Sequence, residues 1–182
     1  MPISGEGAAS GRRAAARREH GAAALEFAIV GSVFFFLVFA IVDGGLAFND
    51  YLSVGYGSKD AARQAVVGTT GSDSSCTLNG AGGAGTPTKQ LLCLTKDRVG
   101  LGQADTRVKL AFGSQGYAEG ADLAVCVQYQ LRSRSGVLST VFDDRMVTSE
   151  AQMRIEDLAS SALQATEETP LPGGDWSWCE VS

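Results

Sequence analysis

Apolar residues run almost unbroken from Ala22 to Val42 and turn periodic after that. The first stretch, AAALEFAIVGSVFFFLVFAIV, has 21 residues and one charge, Glu26. From Asp43 to Val67 the apolar positions recur every three to four residues: Leu46, Tyr51, Leu52 and Val54, then Ala61, Ala62, Ala65 and Val66. That spacing predicts a helix continuing out of the apolar run. Gly44-Gly45 and Gly55-x-Gly57 are weak points, because a helical Gly costs about 1 kcal/mol against Ala, and a kink or break is expected there. Gly68 supplies a stop.

Further on the period changes. Gly68–Ser75 and Gly80–Gly85 are loops by composition. Thr86-Pro87 opens a short helix, with Thr86 expected as N-cap and Pro87 as first residue. Leu91, Leu92 and Val99 form its buried face and Gly100 its end. Three runs then alternate with period two: Arg107 to Gly113, Leu123 to Arg132, and Met146 to Glu156. Such runs predict an antiparallel sheet with one face buried, and the long helix is the expected cover. Gly136 to Asp144 carries Val137, Leu138, Val141 and Phe142 and suits a short helix. Exposed Trp176 and Trp178 would be costly, so the tail from Ala159 to Ser182 is expected to dock. The expected fold class is α+β, a long N-terminal transmembrane helix continuing into a small antiparallel sheet domain.

At 1.5 Å per residue the apolar run measures about 31 Å, the thickness of a bilayer's hydrocarbon core. Arg12, Arg13, Arg17 and Arg18 precede it and Asp43 follows it. The positive-inside rule then places the N-terminus in the cytoplasm and the rest outside. A buried core helix fits less well, since a chain this small has little protein to surround Phe34–Phe39. A removed signal peptide also fits less well, despite the small-x-small pattern of Gly45-Leu46-Ala47. The run is long for such a segment and Glu26 is out of place in one. The expected organisation is a cytoplasmic leader over 1–21, a transmembrane helix over 22–42, a helical extension over 43–67 and an extracytoplasmic domain over 68–182.

Charge sharpens the division. The leader holds four Arg against Glu6 and Glu19, net +2, whereas residues 22–182 hold 11 basic and 18 acidic side chains, net −7. An acidic ectodomain argues against nucleic acid as a partner, because phosphate binding needs clustered Lys and Arg. The only His is His20, so no Ser-His-Asp or Cys-His arrangement is available beyond the leader. No phosphate loop, dinucleotide fingerprint or calcium loop is present. Asp143-Asp144 and Glu167-Glu168 read as solvated surface. The expectation is a protein that is not an enzyme, with no cofactor and no metal.

The sharpest motif is Gly21-Ala22-Ala23-Ala24-Leu25-Glu26-Phe27, set where the basic leader meets the apolar helix. It resembles the processing site of type IV pilin-like proteins, with a Gly before the cut and Glu fifth in the mature chain. The Tad branch has an aromatic directly after that Glu, usually Tyr and here Phe27. Asp43-Gly44-Gly45-Leu46-Ala47-Phe48 and Lys59-Asp60-Ala61-Ala62-Arg63-Gln64-Ala65 extend the likeness. Over about residues 18–68 the chain resembles TadE-like pilus assembly proteins. That resemblance implies a minor pilin-like, or pseudopilin, component of a Tad (type IVc) pilus in the cytoplasmic membrane. It implies other pilins, the assembly platform, a prepilin peptidase and the lipid bilayer as partners. It also implies a cut between Gly21 and Ala22, with Glu26 and Phe27 at helix contacts. A carboxylate inside a membrane segment costs about 2.5–3.5 kcal/mol at the centre and less near an end, so Glu26 calls for a partner. The new α-amine of a neighbouring chain is the natural one. The alternative is a single-pass anchor presenting an extracytoplasmic ligand-binding domain, which has no need of Glu26.

The four cysteines, Cys76, Cys93, Cys126 and Cys179, all follow the apolar segment. None forms C-x-x-C, which disfavours zinc, and outside the cytoplasm disulfides are their natural use. Cys76 and Cys93 flank a Gly-rich loop with little apolar content to hold it. Cys126 shares a strand face with Gln128 and Gln130, opposite Val125, Val127 and Tyr129. Its partner must therefore cross the face away from the helix, and the tail ending in Cys179 is the available segment. The expected pairs are Cys76–Cys93 and Cys126–Cys179.

Overall fold

A computed structural model describes residues 7–68, 76–81, 83–156, 158 and 162–181, with side chains from residue 21 onward. Its elements are α1 (Gly7–Val66), α2 (Thr86–Val99), a 3-10 turn (Gln103–Asp105), β1 (Thr106–Phe112), β2 (Asp122–Gln130), α3 (Ser139–Phe142), β3 (Met146–Arg154) and β4 (Thr166–Glu167). The strands form one antiparallel sheet in the order β3-β2-β1-β4. The fold is α+β, a long N-terminal apolar helix followed by a small antiparallel sheet with helices. The loop expected at Gly68–Ser75 lies, beyond Gly68, outside the described residues.

Helix α1 passes through Gly44-Gly45 and Gly55-x-Gly57 without a break. Tertiary packing overrides the propensity penalty. A Cβ on Gly57 would lie 2.6 Å from Val99 Cγ2 and 2.8 Å from the Val99 backbone nitrogen. At Gly57 the backbones of α1 and α2 therefore come too close to admit a side chain. Ala61, Ala62 and Ala65, all buried, keep the two helices close beyond it.

The cover of the sheet is shared. Ala61, Ala62 and Ala65 of α1 pack with Leu91 and Leu92 of α2 over Val108, Leu110, Leu123, Val125 and Ala151. Nearer the apolar run, Val54 and Val99 meet Val127, Tyr129 and Val147. Thr86 is not the N-cap of α2. Gly85 takes that place without a side-chain cap, its N–H held by the Gln164 side chain at 3.0 Å, while the Thr88 hydroxyl accepts from the Gln164 N–H at 2.9 Å. A crossing segment from the tail thus fixes the helix start. Gly100 ends α2 in the left-handed region at φ 67°, its N–H bonded to the Lys96 carbonyl at 3.2 Å.

Strand β2 is buried on both faces over Leu123–Tyr129, not on one. Its second face carries Ala124 and Cys126, covered by Trp176 and Cys179 of the tail. The Trp176 indole N–H donates to the Glu168 carbonyl at 2.8 Å, and the Gln128 amide donates to the Asp175 carbonyl.

Candidate functional site: the two faces of the long helix

Beyond the apolar run, α1 presents one face to the domain. Asp43, Asp50, Val54, Ser58, Ala61 and Ala65 are buried, and their spacing of three, four or seven places them on one stripe, which adjacent Ala62 widens. The sheet domain grips this stripe with polar groups at the end nearest the apolar run. The Asp43 carboxylate accepts from the Ser133 hydroxyl at 2.8 Å, the Ser135 hydroxyl at 2.6 Å and the Ser135 N–H at 3.1 Å. The Ser135 hydroxyl is the main cause that lowers its pKa below the ordinary 3.8, against a smaller opposing effect of burial. One step along the stripe, burial pushes the Asp50 carboxyl up, opposed by the Arg134 charge and by a hydrogen bond from Tyr129. Burial, then the Asp50 charge, raises the Tyr129 phenol in turn. Farther out, the Ser58 and Ser149 hydroxyls lie 2.9 Å apart.

The opposite face is left uncovered. Phe48, Tyr51, Leu52 and Tyr56 are exposed, Tyr56 by 69 %. Tyr51, Leu52 and Tyr56 line a shallow groove of about 320 Å³ with Lys59 and Thr148–Glu150. Between Ala22 and Val42 the helix is exposed all round, Phe27 by 77 %. Gly21, Ala22 and Glu26 are exposed on the same helix. Gly21, Gly31, Gly44, Gly45 and Gly55 each leave open space where a Cβ would stand, so nothing in the described structure requires glycine there. Among the described residues, Gly21–Val66 is the one helix long and apolar enough to cross a membrane.

The remaining sequence-derived residues lie in the domain, apart from Gly21–Phe27. Cys76 is bonded to Cys93 and Cys126 to Cys179, with Cα–Cα distances of 5.3 and 6.0 Å. Glu168 corrects the reading of Glu167-Glu168 as solvated surface. Its side chain is fully buried and pairs with buried Lys96 at 2.8 Å, while Glu167 stays exposed beside Lys109. The two Glu168 oxygens also accept from the N–H groups of Asn79 and Val108, and Lys96 donates to the Thr77 carbonyl. Burial is the main influence on Lys96 and lowers its pKa, opposed by Glu168. The sequence reasoning also missed the Asp43–serine clasp and Asp50. The signal was present: Asp43, Asp50 and Val54 continue the Ala61/Ala65 stripe at helical spacing.

Residues 21–63 match the model of the family described as TadE-like protein. The N-terminal helix is TadE-like. The match covers the whole apolar run and most of the gripped stripe, and it leaves the sheet domain outside. No curated protein and no solved structure matches the chain. Over this segment the likeness is to a Tad pilus-related family, and the apolar helix is long enough to suit membrane anchoring.

Proposed function

We propose that the protein is a minor pilin-like structural or assembly component of a Tad (type IVc) pilus. The observation that carries this reading is the TadE-like match over a helix whose outer face is uncovered among the described residues. The α1 helix sits in the cytoplasmic membrane with the N-terminus inside and the sheet domain outside, as the arginine leader favours. Its exposed face packs against helices of other pilins or of the assembly platform. Glycines that the fold does not require give those helices room to approach, as small residues do between membrane helices. The protein acts by packing and is not an enzyme.

Glu26 separates this reading from a plain anchor. In the pilin-like reading it neutralises a neighbour's α-amine and sets axial register, as a lone polar group does in a coiled coil. Glu26→Ala removes a costly group from the membrane segment, so insertion is unchanged or improved. Pilus output and co-purification of pilus proteins fall. Normal output and normal co-purification in that variant would leave only the anchor reading. Processing is tested separately by intact mass of protein from its own host. The expected mature chain begins at Ala22, and a bulky substitution at Gly21 blocks the cut. An intact N-terminus in assembled material would contradict the processing step.

A further inference from the structure

Helix α1 and the sheet run past one another in a defined order. Val54 meets Val127, Tyr129 and Val147, whereas Ala61–Ala65 meet Leu123, Ala151 and Ile155. The β2–β3 connection, residues 131–145, therefore lies at the end of the domain nearest the apolar run. Hydrogen bonds fix its height. Asp43 directly follows Val42, and its carboxylate holds Ser133 and Ser135. The Ser135 hydroxyl oxygen in turn accepts the Val137 N–H at 3.1 Å. Two hydrogen bonds thus lead from the exit of the apolar run to Val137.

The chemistry of this connection differs from the rest of the domain. Beyond Val67, the described residues expose three large apolar side chains, Val137, Val141 and Leu158, and two of the three are here, 45 % and 52 % exposed. Arginines of the connection serve the domain itself: Arg132 pairs with Asp105 at 2.7 Å, and the Arg134 charge acts on Asp50. Gly136 is left-handed at φ 74°, which turns the chain just before Val137.

From these observations we infer that the segment Ser135–Val141 seats on the phospholipid headgroup layer of the membrane that α1 crosses. Val137 and Val141 enter the headgroup boundary. Exposed apolar side chains held at such an interface bind it by burial. With the Asp43 clasp, this gives the domain two attachments to the bilayer and so a fixed tilt. The inference rests on α1 spanning the membrane, as proposed above.

The test places one added cysteine at a time in the full chain, by Val137→Cys, Val141→Cys, Thr148→Cys or Val33→Cys. Each variant is spin-labelled and reconstituted at low density into vesicles of zwitterionic and anionic phospholipid. Thr148 adjoins Ser149, which meets Ser58 some 15 residues and about 22 Å along the helix from Asp43, so it reports bulk water. All the sites are exposed, and non-reducing peptide mapping confirms that each variant keeps both native disulfides. Labels at 137 and 141 are expected to lose most of their collisions with a water-soluble nickel complex relative to 148, and to gain collisions with oxygen. Nickel access at 137 equal to that at 148, with the label at 33 shielded, would overturn the seating and leave the spanning helix standing. Nickel access at 33 as well would overturn both. Shielding at 137 that disappears on further dilution in lipid would assign the surface to a second copy and overturn the lipid assignment.

Discussion

The two halves of α1 share a helix and differ in what surrounds them. From Ala22 to Val42 every face is bare, and from Asp43 to Val66 one face is clasped by the domain while the other stays open. Gly57 and Gly55 show the difference at two residues' distance. Gly57 is pressed against Val99, and Gly55 has empty space. The clasped face is explained by the fold of this chain, so its residues answer to stability. The bare faces have no explanation among the described residues, and in the proposed function their residues answer to lipid or to other proteins. Substitutions on the two should separate cleanly into losses of folding and losses of assembly.

The largest effect is expected at the buried Lys96–Glu168 pair inside the domain. Lys96→Ala leaves Glu168 as an uncompensated buried charge, and loss of one partner of such a pair costs about 3–5 kcal/mol. Chemical denaturation of the full chain in detergent measures it. A change below about 0.5 kcal/mol, the size typical of surface substitutions, would mean the pair is not buried. The disulfide pinning the tail comes next. Cys126→Ser with Cys179→Ser opens a link spanning 53 residues, with an expected loss of about 2–5 kcal/mol and a red-shifted Trp176 emission as the tail lifts. Non-reducing peptide mapping of the wild type checks the pairing itself.

Gly57→Ala sharpens the contrast further. It forces apart two backbones and should cost about 1–3 kcal/mol, while Gly55→Ala is neutral or stabilising. Equal effects at the two positions would erase the distinction between the faces. The Asp43 clasp gives a smaller, pH-dependent effect. Its folded-state pKa lies below 3.8, held there chiefly by Ser135. Its contribution is therefore complete above the ordinary Asp value and is lost as pH falls through the lower, folded-state value. Asp50 has the opposite sign: burial raises its pKa, so protonation on acidification relieves a penalty. Thermal melting of wild type and Asp43→Asn should differ at neutral pH and converge well below pH 3.8. A difference that persists unchanged in acid would reject the clasp.

Local periodicity made much of this legible. The apolar run, the three alternating strands and the end of α2 at Gly100 depend on neighbours within a few residues, and sequence carries that information directly. Cys126 was legible for the same reason, since alternation tells which face of β2 it occupies. What was hidden depends on distant contacts. Glycine propensity argued for a break at Gly55-x-Gly57, but α2 packing against Gly57 holds the helix through it. Adjacency in Glu167-Glu168 suggested a solvated pair, yet Lys96, 72 residues away, draws one of the two inside. The two-residue strand β4 is too short to show alternation. Asp43 and Asp50 were passed over because the helical stripe was traced through apolar residues alone.

Site-specific photo-crosslinking in the host's own membranes tests the central division of α1 most directly. A crosslinker replaces Phe34, Phe48 or Tyr56 on the bare faces, or exposed Glu119 in the β1–β2 connection. The account predicts adducts to pilins or assembly-platform proteins from the three helix positions, identified by mass spectrometry, and none from Glu119. Lipid adducts alone at Phe34, with no protein adduct at Phe48 or Tyr56 in cells that are building pili, would contradict it.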